Sequence, residues 1–183
     1  MTTTSISDKL QAFVLYIQKF ISVEEGEMIN FLEKFEFVSY KQEQSIYTGG
    51  KVCQYMFFLS KGIVREEEIW NNKRKITWLT FENEIFTDNY AYISQKVCPQ
   101  PKNFIACTDV ALFRIRIDEL RQFYKSKPKW ERLGRLIAEQ YILLIAQQAE
   151  FLLKNDAKHA IKSLWSNALL SFKNCPLPKL PLF

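Results

Sequence analysis

The sequence has very little of what most catalytic and metal centres require. It contains a single histidine, His159, among its 183 residues. A Ser/His/Asp or Cys/His set therefore cannot form away from the C-terminal segment, and a barrel enzyme with several histidine metal ligands is excluded for the same reason. The five glycines form neither a phosphate loop nor a dinucleotide-binding pattern. We therefore expect a protein without enzymatic activity.

Cysteine usage and the N-terminus point to an ordinary intracellular chain. The four cysteines, Cys53, Cys98, Cys107 and Cys175, have no CxxC or other metal-site spacing, so neither a zinc site nor an iron–sulfur cluster is predicted. No charged region followed by an apolar region opens the chain, and a cytoplasmic protein with free thiols is the simplest interpretation. Cys98 and Cys107 are either a redox pair or buried structural thiols, and the second is the commoner case.

Positive charge is scarce outside the C-terminal end. The formal net charge is +5, but from Lys154 onward five lysines face one aspartate, which gives +4 there and leaves +1 for residues 1–153. The body of the chain therefore lacks the broad basic surface of a nucleic-acid-binding protein. Its 48% hydrophobic residues are enough for one sizeable core.

Two amphipathic helices are predicted at the N-terminal end. Ser7 or Asp8 can cap the first, which would run to about Phe20. Ser22, followed three residues later by Glu25, forms a capping-box pattern for the second.

The periodicity changes in residues 37–117. Short apolar or alternating runs are separated there by Gly and Asn turns, which is typical of an antiparallel sandwich or barrel of eight or so strands. Lys61-Gly62 and Asn71-Asn72 are predicted hairpin turns. The acidic run 66–68 would then face the basic run 73–75 across a solvated hairpin, as charge pairs without a binding role.

Asp118 can cap a short helix, and a long helix is predicted from Pro128 to Lys154. Its apolar residues spread well beyond one stripe, so it must be covered on several sides. We expect one face to pack on its own chain and another on the same helix of a second copy, which makes a homodimer. The alternative is a central helix of a monomeric core. The residues expected to mark the dimer helix are Trp130, Ile137, Tyr141, Leu144 and Phe151.

Several stretches share a pattern with one known family. Residues 46–68, IYTGGKVCQYMFFLSKGIVREEE, resemble the first half of the cyclic-nucleotide-binding domain of cyclic-AMP-receptor-protein/FNR-like (CRP/FNR-like) bacterial transcription regulators. Residues 76–93, ITWLTFENEIFTDNYAYI, fall where that family has its phosphate-binding cassette. CTDVALFRI matches its closing strands, RIDELRQFY its short helix, and ERLGRLIAEQY its long dimer helix.

The resemblance implies an α+β fold built around an antiparallel β-roll, that is, a double-stranded β-helix or jelly roll. N-terminal helices and a long C-terminal dimerisation helix would flank the roll. We expect residues 1–127 to form the sensor domain, residues 128–154 the dimerisation helix, and residues 155–183 a short basic tail in place of a DNA-binding domain.

The C-terminal residues depart from the family pattern. Family members continue into a winged helix-turn-helix that reads the DNA major groove. Only 29 residues follow Lys154, and three of the last nine are prolines. A natural truncation, a shifted reading frame or a sequence boundary would each explain this ending. DNA binding is therefore expected only if a longer parent carries that domain.

The resemblance also implies a phosphate-binding site, in a degenerate form. Glu84 matches the family's ribose-binding glutamate, but Asn83 replaces the preceding glycine. The expected arginine is missing, and Lys102 is the best point-charge substitute for it. Asp88 would add like charge beside an anion. The candidate ligand-binding residues are Asn83, Glu84, Ile85, Phe86, Thr87 and Lys102.

Cyclic nucleotide is therefore a possible but disfavoured ligand, and no other cofactor is expected. We expect a cytoplasmic homodimeric sensor module of a transcription regulator, with a degenerate small-molecule pocket coupled to the dimer helix and no membrane segment. The alternative is a ligand-free protein-interaction module that keeps the fold and the dimer. The sequence identifies neither the ligand nor the target genes.

Overall fold

The computed structural model describes residues 6–70 and 73–154, and for residues 6–9, 148, 149 and 151–154 it describes the backbone alone. The chain divides into two units, Met1–Gly134 and Arg135–Phe183. The predicted basic tail, residues 155–183, lies outside the described residues.

The first helix, α1, spans Ile6–Gln18. It includes Ser7 and Asp8, so the prediction that one of them caps it is wrong. The helix is held by Phe13, which is 2% exposed and stacks on Phe58 with 4.3 Å between ring centroids.

The second helix, α2, spans Glu25–Leu32. Its N-cap is Glu24, because the amide of Met28 donates to the Glu24 carbonyl at 2.9 Å and so closes the first turn there. Ser22 lies two residues too early to cap it, and the predicted capping box is wrong.

Eight strands form two four-stranded antiparallel sheets in the described part of the chain, which confirms the predicted sandwich. One sheet has the order β1-β8-β3-β6 and the other has the order β2-β7-β4-β5. The strands are β1 Glu36–Tyr40, β2 Ser45–Tyr47, β3 Tyr55–Lys61, β4 Val64–Trp70, β5 Lys73–Thr80, β6 Glu84–Phe86, β7 Lys102–Ala106 and β8 Val110–Arg116.

One of the two predicted hairpin turns is wrong. Lys61-Gly62 joins β3 to β4, and these strands belong to different sheets, so the turn carries the chain across the sandwich. Gly62 has φ +96°, and a Cβ there would lie 2.6 Å from the carbonyl oxygen of Asp109, so only glycine fits. The β4–β5 hairpin is present, with Trp70 opposite Lys73, although residues 71–72 lie outside the described part.

Aromatic rings occupy the space between the sheets. Phe57 stacks on Phe86 with centroids 4.9 Å apart, and Phe86 meets Phe104 edge-on at 5.3 Å. Tyr47 packs on Phe104 at 5.4 Å. These rings belong to one buried cluster that reaches both sheets.

Three helices follow the strands or interrupt them. α3 is Asn89–Ser94, α4 is Ile117–Ser126 and α5 is Pro128–Lys154, the range predicted for the long helix. α4 begins one residue before Asp118, so Asp118 lies inside the first turn and the N-cap is Arg116. The Asp118 carboxylate accepts from the Arg116 guanidinium and from the Glu119 amide, each at 3.0 Å. No helix among the described residues has both the length and the hydrophobicity to cross a bilayer.

The first turns of α5 belong to the core of the first unit. Trp130 is 1% exposed and stacks on Phe31 with centroids 4.1 Å apart. Trp130 was expected on the dimer helix surface, but it is used inside its own chain and is not available to a second copy. Gly134 allows a close approach here, since a Cβ would lie 2.6 Å from the Tyr124 hydroxyl.

Candidate functional site

The candidate site combines the segment between β6 and β7 with the inner face of the β2-β7-β4-β5 sheet. By the family pattern, a short helix at the start of this segment should present free amide groups to a phosphate. Helix α3 is that short helix, and it begins at Asn89.

Asn83 and Glu84 do not open α3, so the match to the family's Gly-Glu pair is wrong in position. Asn83 lies in a turn with φ +67°, and its amide donates to the Leu59 carbonyl at 2.7 Å. Glu84 is the first residue of β6, and its carboxylate accepts the Phe81 amide at 2.9 Å. Pairing with Leu59 of β3 keeps Glu84 extended, five positions before the helix. Burial raises the pKa of Glu84.

The next three candidate residues serve the core. Ile85 pairs with Phe58 in the β3–β6 ladder, and Phe86 is one of the interior rings. Thr87 is 6% exposed, and its hydroxyl donates to the Tyr55 carbonyl at 2.8 Å. None of the three presents an uncommitted donor to an anion.

Asp88 takes the position that an external anion would use. It is 1% exposed, and its Oδ1 accepts the Ala91 amide at 3.0 Å at the N-terminus of α3. Its second oxygen has no hydrogen-bond partner within the described residues. A buried carboxylate here satisfies the helix end from within and repels an incoming phosphate.

The acidic run on β4 is not the solvated hairpin that was predicted. Side chains alternate along a strand, so Glu66 and Glu68 share the face of Val64, which belongs to the interior cluster. Opposite them on β7, Glu66 pairs with Phe104 and Glu68 with Lys102. The two carboxylates are therefore inside the roll, with side chains only 14% and 16% exposed.

Lys102 is bound to these carboxylates. Its Nζ donates to Glu66 Oε1 at 2.7 Å and lies 3.4 Å from Glu68 Oε1. Burial disfavours the ammonium, but the hydrogen bond and charge of Glu66, together with Glu68, outweigh burial and raise the pKa of Lys102. The proposed substitute for the missing arginine is thus charged but already paired, and the three side chains sum to −1.

The opposite face of β4 carries a second ion cluster. Arg65 is 8% exposed, and its Nε donates to Glu67 Oε1 at 2.6 Å. Its two terminal nitrogens donate to Glu43 at 2.8 and 2.7 Å, and this bond lowers the pKa of Glu43. Of the three glutamates 66–68, only Glu68 lies directly opposite a β5 cation, Lys75. Charge pairing across the hairpin therefore does not account for the positions of these glutamates.

Sequence reasoning missed Glu66 and Glu68 as interior residues. Side chains alternate along a strand, so Glu66 and Glu68 lie on the same face as the apolar Val64, and this alternation could have predicted that they point inward. The structure shows an unbroken register between β4 and β7 over these residues. The acidic run 66–68 and the basic run 73–75 flank one turn, and this pattern suggested that β5 and not β7 supplies the partners of Glu66 and Glu68.

The three cysteines that the structure describes are buried. Cys53, Cys98 and Cys107 are 2%, 8% and 7% exposed, and none forms a disulfide. Cys107 lies 3.9 Å from a guanidinium nitrogen of Arg65. Across the described ranges no group of three or more His, Cys, Asp or Glu side chains could hold a metal ion.

Comparison with known proteins agrees with this architecture. Residues 37–127 match the family model of the cyclic nucleotide-binding domain. This segment has the cyclic nucleotide-binding fold. The antiparallel β-roll with flanking helices that the sequence predicted is thereby confirmed. No curated protein matches the chain.

Solved structures share the cyclic nucleotide-binding fold at low sequence identity. A cyclic nucleotide-binding domain from Methylobacillus flagellatus is similar with a TM-score of 0.67 and 12% identity, over 86% of this chain and 90% of that one. The N-terminal domain of a transcriptional regulator from Streptomyces coelicolor is similar with a TM-score of 0.54 and 12% identity, over 69% of this chain and 87% of that one. The catabolite activator protein of Thermus thermophilus is similar with a TM-score of 0.56 and 18% identity, over 72% of this chain and 62% of that one. The chain thus spans less than two thirds of the Thermus protein, and the likeness shows the fold alone.

The interior ion cluster predicts a pH-dependent cost for removing its cation. Lys102→Met leaves two neighbouring, largely buried carboxylates without a counter-charge, and we expect a loss of about 1–3 kcal/mol at pH 7. The pKa of Lys102 is raised in the folded chain, so its contribution is fully present below the pKa of a free lysine and is lost as pH rises through the folded value. The loss caused by the substitution should therefore stay constant near neutral pH and shrink above about pH 10. Urea unfolding at several pH values measures it.

Lys41→Met is the matched control. Lys41 also pairs with a carboxylate, Asp109, at 2.9 Å, but both side chains are exposed, at 79% and 62%. Its loss should change stability little at any pH. Equal effects of the two variants would contradict an interior position for the Lys102 cluster.

Proposed function

We propose that the chain is the sensor and dimerisation module of a CRP/FNR-like transcription regulator, with a β-roll that has lost recognition of cyclic nucleotides. The module is not an enzyme and acts in the cytoplasm. Its output is the arrangement of α5 against the same helix of a second copy. DNA contact would require a helix-turn-helix in a longer parent.

The observation that carries the loss of nucleotide recognition is the pairing of Lys102 with Glu66 and Glu68 inside the roll. A cyclic phosphate would have to displace two carboxylates from that ammonium, and it would then face their uncompensated charge. The missing arginine removes a further charge-assisted hydrogen bond, which is worth about 1.5–3 kcal/mol, or roughly ten- to a hundredfold in affinity.

Support for a regulatory role comes from the cyclic nucleotide-binding fold and from the similar structures. One of these is described as part of a transcriptional regulator and another as a catabolite activator protein. The interaction-module alternative is favoured by a different observation. The aromatic rings Phe57, Phe86 and Phe104 pack against one another in the roll interior, so an effector there would have to displace them.

The proposal predicts no saturable response to cyclic AMP or cyclic GMP. Because Lys102 is already paired, neither nucleotide should raise the melting temperature or release heat in calorimetry at millimolar concentration. The double variant Glu66→Gln/Glu68→Gln frees the ammonium, and we expect it to bind cyclic AMP at least about tenfold more tightly than the native chain.

Saturable micromolar binding by the native protein would contradict the proposal. If neither the native chain nor the double variant binds cyclic AMP, the aromatic interior and not the ion cluster prevents binding. That result favours the interaction module.

The dimer part of the proposal rests on the second unit. Four consecutive aliphatic side chains of α5 are exposed there: Ile142 by 66%, Leu143 by 57%, Leu144 by 38% and Ile145 by 44%. Burial of each such side chain is worth about 1.5–3 kcal/mol, so water is a poor environment for them. A second copy presents the same apolar surface and can cover it by two-fold symmetry. Ile137 and Tyr141 lie on the same helix, and the Phe151 side chain is outside what the structure describes.

Leu144→Glu is expected to dissociate the dimer. The substitution places two charges in one symmetric apolar interface, so the dissociation constant should rise at least about tenfold. Sedimentation equilibrium over micromolar concentrations measures it.

Gln147→Glu is the control, since Gln147 is exposed on the same helix and the variant adds the same charge. It should leave the dimer intact. A native protein that sediments as a monomer throughout would contradict the dimer.

A further inference from the structure

A cavity of about 570 Å³ lies outside the β-roll, between α3 and α4. Its volume is in the range of small-molecule sites, roughly 300–1,000 Å³, which favours a small ligand over a macromolecular surface. It is separate from the inner face of β4 and β7, where the nucleotide pocket was expected. The residues lining it are Val52, Cys53, Gln54, Ala91, Gln95, Arg116, Ile117, Asp118, Arg121, Gln122 and Lys125.

The floor of this cavity, which we call the α3–α4 cleft, is apolar and well packed. Cys53, Ala91 and Ile117 are 2%, 2% and 7% exposed. The linker that carries Cys53 is fixed to the start of α4 by the Ile117 amide, which donates to the Gln54 carbonyl at 2.9 Å. The floor is therefore preformed and can take an apolar part of a ligand.

The walls carry excess positive charge. Arg116 is neutralised by Asp118, to which its Nε and a terminal nitrogen donate at 3.0 Å. Arg121 donates to the Tyr92 carbonyl at 2.5 Å. Among the ion pairs of the side chains that the structure describes, none involves Arg121 or Lys125, and the ion pair of this wall is that of Arg116 with Asp118. The cleft thus has two cations without counter-ions.

The two cations are suitably spaced to act together. Arg121 and Lys125 are four residues apart on α4, so their side chains leave the same face about 6 Å apart. The single bond from Arg121 to Tyr92 leaves most of its five N–H donors unused. A phosphate or a pair of carboxylates could bridge the guanidinium and the ammonium, with Gln54, Gln95 and Gln122 as further hydrogen-bonding groups in the wall.

We propose that the α3–α4 cleft binds a small organic anion that carries at least two negative charges and an apolar portion. Arg121 and Lys125 hold the anionic groups, and the floor of Cys53, Ala91 and Ile117 receives the apolar part. Because α3 and α4 both line the cleft, bound anion ties the segment before β7 to the helix that precedes α5. The proposal does not depend on a ligand inside the β-roll.

Calorimetry with phenyl phosphate and phthalate tests the proposal, and benzyl alcohol serves as the neutral probe. We expect saturable one-to-one binding of at least one anion and none of the alcohol, and the two anions distinguish a phosphate site from a carboxylate site. Arg121→Gln/Lys125→Gln should weaken binding at least about tenfold. Arg74→Gln/Lys75→Gln removes the same charge from the exposed β5 end and should change affinity less than about twofold.

The single variant Lys125→Gln tests whether weaker binding of the double variant merely reflects unfolding. It should leave the fold unchanged, because no hydrogen bond of Lys125 to another described residue would be lost. It should weaken binding at least about threefold with an unchanged unfolding midpoint. The proposal is overturned if neither anion binds the native chain, or if both double variants lose affinity equally. Binding of polyglutamate without either small anion would also overturn it and would assign the surface to an acidic polypeptide.

Discussion

The bond from Lys102 to Glu66 and Glu68 is the constraint on which the function of this β-roll depends. In the cyclic nucleotide-binding fold, the interior between the sheets is where an anion would be recognised. Here that interior holds two carboxylates and one ammonium, with side chains only 14–25% exposed. The charges satisfy one another at short distance, and an incoming phosphate would have to break that arrangement without an arginine to compensate.

The start of α3 follows the same principle. The Ala91 amide in its first turn donates to Asp88, a side chain of the protein itself that is 1% exposed. The neighbouring aromatic rings then close the interior, since Phe86 lies against both Phe57 and Phe104. Each element that a phosphate would need is thus used for internal stability. The α3–α4 cleft, which lies outside the β-roll, keeps two cations and an apolar floor that are not used in this way.

Much of this fold could be predicted, and the errors in the sheets and at the site have a common cause. The bounds of α5 followed from Pro128 at its start and from the lack of a helix breaker, which are local features. The site required knowledge of which strands are neighbours. Lys61-Gly62 looked like a hairpin turn, yet it changes sheets, and Glu66 looked exposed, yet its neighbour on β7 is Phe104. Strand order and register depend on contacts distant in sequence, and periodicity alone does not supply them.

The most direct test of the central claim is the nitrogen NMR signal of the Lys102 side-chain ammonium in the native protein at pH 7. An ammonium bound to Glu66 and Glu68 should exchange its hydrogens slowly enough to be observed, and its chemical shift should not move when cyclic AMP is added to millimolar concentration. A signal lost to rapid exchange, or one that shifts in a saturable way with the nucleotide, would show a free cation and contradict the account.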